Sequence, residues 1–127
     1  MTEVAAVRGI AGTVINGVCR DVSASLSQHY PMFSRGRFMR TGKDRVRLVS
    51  LGEPLAVSGV EIRPGTIVCA DADGVVAVPA AAAARVAEAA GRTEQVEADI
   101  VAAVRAGSTL RAAREEFGYH DLQRRRP

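Results

Sequence analysis

A chain of 127 residues holds one domain with its own core and needs neither disulfides nor a structural metal to fold. At 47% hydrophobic, 24% charged and 4% aromatic it falls in the ordinary soluble class, and with no Trp its apolar content rests largely on Ala and Val, a thin core that a homo-oligomer would finish burying. No segment approaches the roughly 20 apolar residues of a membrane span, and there is no basic-then-apolar export signal, so a cytoplasmic setting without membrane contact is expected.

Cys19 and Cys69 stand far apart, outside any CxxC or zinc-like spacing, and read as buried thiols in a reducing compartment. The net charge of +3 is concentrated in Arg124, Arg125 and Arg126 and in a stretch holding Arg35, Arg37, Arg40, Lys43, Arg45 and Arg47. Only Phe33 and Phe38 interleave with these charges, which disfavours a stacking nucleic-acid surface and favours a solvated basic one.

In chain order, Thr2 to Arg8 reads as the last turns of a helix. Gly12 to Gly17 is a β-branched run bounded by glycines, a buried strand ending in a turn. Asp21 is an N-cap candidate for a helix over Val22 to His29, which stops before Pro31. Met32 to Arg35 is a short strand, Gly36 to Asp44 a basic loop, and Arg45 to Ser50 alternates charged and apolar residues as a half-exposed strand does. A meander of short strands is the expectation.

Three apolar runs follow, Leu55 to Val60, Thr66 to Ala70 and Val75 to Val78, separated by the turn formers Arg63-Pro64-Gly65 and Asp71-Ala72-Asp73-Gly74. Pro79 opens an Ala-rich helix to Ala106, in which Gly91 marks a kink or a break. Ser108 caps a further short helix through Phe117, with Gly118 as its stop. The fold class is α+β, with residues 80–127 as a helical C-terminal extension of a single domain 1–127.

The tightest chemical constellation is Gly17-Val18-Cys19-Arg20-Asp21, where a guanidinium and a carboxylate leave a strand-to-helix turn together. Such a carboxylate can bind a hard divalent cation directly or through water, and such a guanidinium can grip an oxyanion. The pair suits chemistry that generates an enolate; for the dipeptide alone, a helix N-cap with a surface salt bridge is the plainer account. Asp71 and Asp73 read as turn residues bonding local amides. His29 and His120 lack partners in sequence, His29 reading as a helix-end residue favoured by the dipole. No GxGxxG, Walker, GxSxG or HExxH motif is present.

Four stretches carry a family resemblance: Arg8-Gly9-Ile10-Ala11-Gly12-Thr13-Val14-Ile15-Asn16-Gly17-Val18-Cys19-Arg20-Asp21, Pro31-Met32-Phe33-Ser34-Arg35-Gly36, Ile62-Arg63-Pro64-Gly65 and Asp71-Ala72-Asp73-Gly74-Val75-Val76-Ala77-Val78-Pro79. In order and spacing, over residues 8 to 79, the chain resembles the RraA-like family, which includes 4-hydroxy-4-methyl-2-oxoglutarate aldolases and the regulator of ribonuclease activity A. The resemblance implies an α/β/α sandwich with a central sheet of short strands, assembled as a trimer with sites between subunits. It also implies a class II pyruvate aldolase using Mg²⁺ or Mn²⁺, with oxaloacetate decarboxylation as a companion activity. Arg20 matches the family's catalytic, substrate-binding arginine and Asp21 its metal-binding aspartate.

This sequence departs from the family pattern in three places. Family members carry upstream a helix and a glycine-rich loop whose N–H groups hold the substrate carboxylate, and this sequence starts after that loop, which implies an impaired site. Asn16 stands where an aspartate is usual, which would weaken the network around Arg20, and Thr66 replaces an acid. Glu94 and Glu97 are the helix carboxylates that would reach a neighbouring subunit's site, although exposed helix carboxylates are ordinarily solvated. The alternative the resemblance carries is a non-catalytic regulator that binds a ribonuclease partner through its basic loop and Arg124 to Arg126.

Overall fold

The computed structural model describes residues 1–122, and its contacts divide into two units, residues 1–80 and the helices from Ala81 onward. In the first unit, α1 (Thr2–Val7) is followed by β1 (Thr13–Cys19), α2 (Val22–Ser27) and β2 (Met32–Arg37). β1 and β2 run parallel, in register from Thr13 opposite Met32 to Cys19 opposite Arg37. A helix is the connection that a parallel pair needs, so β1–α2–β2 is a crossover unit and not the expected meander. Between Ile15 and Val18 the register slips, leaving Asn16 and Gly17 opposite one residue of β2. This bulge carries the strand past Gly17, where the sequence suggested a turn, and on to Cys19.

Local chemistry explains how the crossover is held. Tyr30 is buried and its hydroxyl lies 2.6 Å from Thr13 Oγ1, which pins the entry to β2 against the start of β1. The Thr13 amide donates to Pro31 O at 2.9 Å, and a Cβ at Gly12 would stand 3.2 Å from that same carbonyl oxygen. Thr2 and Ser25, both buried, bond through their hydroxyls at 3.2 Å and tie α1 to α2. The end of α2 is a Schellman motif, with Tyr30 N donating to Ser25 O and His29 N to Leu26 O. His29 therefore sits at φ +50°, the left-handed position that glycine usually fills.

β3 (Leu55–Val57) and β4 (Val60–Ile62) form an antiparallel hairpin through Ser58 and Gly59, at φ +52° and +83°. Two consecutive positive φ values make the tight hairpin turn whose twist matches its strands, which splits the apolar run over Leu55 to Val60 that sequence reading treated as one piece. Arg63-Pro64-Gly65-Thr66 then turns with Gly65 at φ +85° and Thr66 N bonded to Arg63 O at 2.9 Å. β5 (Ile67–Ala70) pairs antiparallel with β6 (Val75–Val78). Asp71 Oδ1 closes their turn by accepting from the Asp73 and Gly74 amides at 2.8 and 3.2 Å.

The strands form three separate two-stranded sheets where the resemblance implied one central sheet. Residues 45–50, expected as a strand, form none: they find no ladder partner, and Val46, Leu48 and Val49 are about four-fifths exposed. Cys69 is exposed and Cys19 half-buried, which corrects the expectation of two buried thiols; Ser34 Oγ lies 3.2 Å from Cys19 Sγ.

A 3-10 turn (Ala80–Ala82) spans the boundary, and the second unit continues with α3 (Ala83–Arg105), α4 (Leu110–Glu116) and α5 (Tyr119–Leu122). α3 runs unbroken through Gly91, so the expected kink or break does not occur. Pairs four residues apart support it, Glu88 with Arg92 and Gln95 with Asp99. Gly107, at φ +101°, terminates α3. Thr109, not Ser108, caps α4, its Oγ1 accepting from Ala112 N at 3.2 Å. Ile100 and Ala113 are the buried apolar residues here, and Arg114 lies 4.8 Å above the Tyr119 ring. Arg124 to Arg126 lie outside the described residues.

Candidate active site

The bulged β1 strand delivers Arg20 and Asp21 at its carboxyl end, where the chain must reverse into α2. Asp21 makes that reversal at φ +59° and ψ +36°, a left-handed conformation that Asp tolerates better than most residues. Its carbonyl accepts from the Ala24 and Ser25 amides, so the residue occupies the N-cap position. Its carboxylate makes no cap bond and instead places Oδ2 3.2 Å from Arg20 Nε. The expected N-cap is therefore correct in position but not in chemistry: the side chain is directed outward, with 61% of it exposed against 49% for Arg20. An ion pair this open contributes at most about 1 kcal/mol to stability.

Parallel pairing brings a second strand end to the same place. Phe38 N donates to Cys19 O at 2.8 Å, continuing the ladder one step beyond β2. Arg20, Asp21 and Val22 then line a shallow depression of about 410 Å³ together with Arg37, Phe38 and Met39. In open sheets with parallel strands, ligands bind outside the carboxyl ends of the strands, which is where this depression lies. The sequence reading places Arg37 and Phe38 in a basic surface stretch, with no link to Arg20. The nearest signal is the strand–helix–strand order of residues 13–37, which suits a parallel neighbour without fixing its register.

A larger cavity of about 630 Å³ lies elsewhere in the first unit, among Val14, Phe33, Val57, Val60 and Val75. Several of its polar side chains make local bonds. Asn16 Nδ2 donates to Ala56 O at 3.3 Å, Arg35 donates to Ser58 Oγ at 2.9 Å, and Asp71 closes its own turn. The Arg20 end, by contrast, presents a paired guanidinium and carboxylate that both face outward. Asn16 lines this other cavity and not the Arg20 depression. Thr66 Oγ1 accepts from Arg63 N and serves its turn. His29 and His120 are exposed and neither lines the Arg20 depression; Glu94 and Glu97 are exposed on α3.

Among the described residues no three His, Cys, Asp or Glu side chains gather as a metal cage. One outward carboxylate fits a cation that keeps most of its water shell, as Mg²⁺ does, and does not fit an ion that demands full protein ligation. No described helix is long and apolar enough to cross a membrane.

The crossover, the bulge and the Arg-Asp turn define an α+β protein with a charged site at the end of a parallel strand pair, and comparison with known proteins gives that class a family. The RraA-like family model, described as Aldolase/RraA, matches residues 1–77, and the chain belongs to this family. A crystal structure of an uncharacterized protein from Pseudomonas syringae pv. tomato is similar at 45% identity and a TM-score of 0.86, over 90% of this chain and 57% of that one. Protein DlpA of Legionella pneumophila is 38% identical over 119 residues, 94% of this chain and 19% of its own length. A Halalkalibacterium halodurans protein named "Putative 4-hydroxy-4-methyl-2-oxoglutarate aldolase" is 39% identical over 71 residues, 56% of this chain and 33% of that protein. The chain thus spans between about a fifth and three-fifths of the length of these relatives.

Proposed function

We propose that this chain acts on 2-oxo acids as a divalent-metal-dependent carbon–carbon lyase, cleaving 4-hydroxy-4-methyl-2-oxoglutarate or a close analogue to pyruvate and decarboxylating oxaloacetate. The observation that carries the reading is the outward-facing Arg20–Asp21 pair at the carboxyl end of β1, where Asp21 forgoes its cap bond. Family membership and the name of the Halalkalibacterium relative support it. The α/β/α sandwich and the homotrimer implied by the resemblance belong to the same proposal, supported by the open edges of three two-stranded sheets.

In both reactions a carbon–carbon bond breaks and its electron pair passes to the 2-oxo oxygen as an enolate. Arg20 binds the substrate's oxo end and donates hydrogen bonds to that oxygen as negative charge develops there. Asp21 would hold a hydrated divalent cation, which when bound would supply positive charge to the enolate. The retro-aldol reaction also requires a proton to leave the 4-hydroxyl, whereas decarboxylation releases CO₂ without such a step. In both reactions the enolate then takes a proton from water at C3 to give pyruvate, so oxaloacetate tests these two residues without a base for the 4-hydroxyl.

The test is pyruvate formation from oxaloacetate by the purified chain with Mg²⁺, beside a chelator and Arg20→Ala. Losing one preorganised donor to the oxyanion lowers kcat by about 10²–10³. Turnover that survives in Arg20→Ala, or an absence of turnover from the folded wild-type protein, overturns the proposal.

A further inference from the structure

Within the Arg20 depression the charges do not balance. Arg20 is paired with Asp21, while Arg37, on the neighbouring strand end, is exposed and forms no ion pair or side-chain hydrogen bond among the described residues. Its neighbours on the same stretch differ. Arg35 is bound to Ser58, and Arg40 lies beyond the depression. Two features fix where Arg37 stands, its register opposite Cys19 and the 2.8 Å bond from Phe38 N to Cys19 O. Val22, Phe38 and Met39 supply the apolar part of the lining.

The fork of Arg20 can span the adjoining carboxylate and oxo oxygen at the oxo end of a 2-oxo acid, so a single carboxylate needs no second guanidinium. A free guanidinium on the adjoining strand end fits a second carboxylate, which it can hold through two parallel N–H bonds. We propose that Arg37 is a specificity-determining residue that selects 2-oxo acids carrying a second carboxylate over those carrying one. The inference rests on the proposed role of Arg20 and extends it to a residue outside the motif that suggested that role.

Calorimetric titration of the full chain in Mg²⁺ tests this with 2-oxoglutarate, a dianion, and pyruvate, a monoanion. Arg37→Gln weakens 2-oxoglutarate about tenfold, the scale of one charge-assisted interaction, and leaves pyruvate within about twofold. Arg37→Lys recovers part of the loss, since the charge is kept and the planar fork is not. Arg40→Gln removes the same charge outside the depression and changes neither ligand. Equal weakening of both ligands in Arg37→Gln, or an Arg40→Gln loss as large as that of Arg37→Gln, overturns the assignment while leaving Arg20 in place. If Arg20→Ala leaves both affinities unchanged, or the wild-type chain binds neither ligand, the reading of the Arg20 site itself fails and the Arg37 proposal falls with it.

Discussion

Asp21 adopts a left-handed backbone and turns its carboxylate away from the amides of α2 that it would ordinarily cap. A cap bond typically contributes about 1 kcal/mol, so this geometry keeps the carboxylate available for a ligand at a small cost in stability. Asp21→Asn is the informative substitution, because Asn accepts the same positive φ while losing the charge. Its thermal midpoint is expected to stay close to that of wild type, with Mg²⁺ no longer stimulating oxaloacetate turnover. Undiminished stimulation by Mg²⁺ in the Asn variant would remove Asp21 from the metal site. The Arg20–Asp21 dipeptide was legible in the sequence because two opposite charges follow a β-branched run. The direction of the carboxylate was not, since it depends on a single backbone dihedral pair.

Among the elements, the helical unit separates propensity from context. Gly91 lies inside α3 with open space where a Cβ would project. Gly91→Ala therefore raises stability by up to about 1 kcal/mol, read as a higher Tm. Thr109→Ala removes the one side-chain cap of α4 and lowers stability by about 1 kcal/mol in the same measurement. A fall in Tm for the first, or no change for the second, would refute these assignments. Glycine in the sequence suggested an interruption of α3, but the flanking Ala, Glu and Arg residues and the pairing of Glu88 with Arg92 outweigh one poor helix former. Residues 45–50 fail in the opposite sense. Their alternation of charge and apolar residues suits a strand, yet a strand exists only where a neighbour offers its hydrogen-bonding groups.

For the molecule as a whole, the described residues bury few apolar side chains: Tyr30 in the first unit and Ile100 and Ala113 in the second. Ile67, Val68, Val75 and Val76 on the β5–β6 hairpin are between 43% and 60% exposed. Two-stranded sheets are marginal by themselves, and a parallel pair is ordinarily covered on both faces. A self-associated protein is the expected outcome, measured by light scattering coupled to size-exclusion chromatography across a concentration series. A well-folded monomer at every concentration would count against the homo-oligomer and against a site shared between subunits.

Elements that rest on local chemistry were legible from residue order. Turns at Arg63-Pro64-Gly65 and at Asp71 to Gly74 follow from residues that set their own dihedrals or bond their own amides. The positions of β5, β6 and the Ala-rich helix follow from runs of matching propensity, and the motif order was enough to point to the family. Strand pairing emerged from the fold: β1 beside β2 in parallel, a bulge at Asn16 and Gly17, and a hairpin through Ser58 and Gly59. Pairing depends on which distant backbone groups meet, and residue type constrains that weakly. For the same reason Arg37 lines the Arg20 depression through strand register, a relation between residues 17 positions apart that no local pattern encodes.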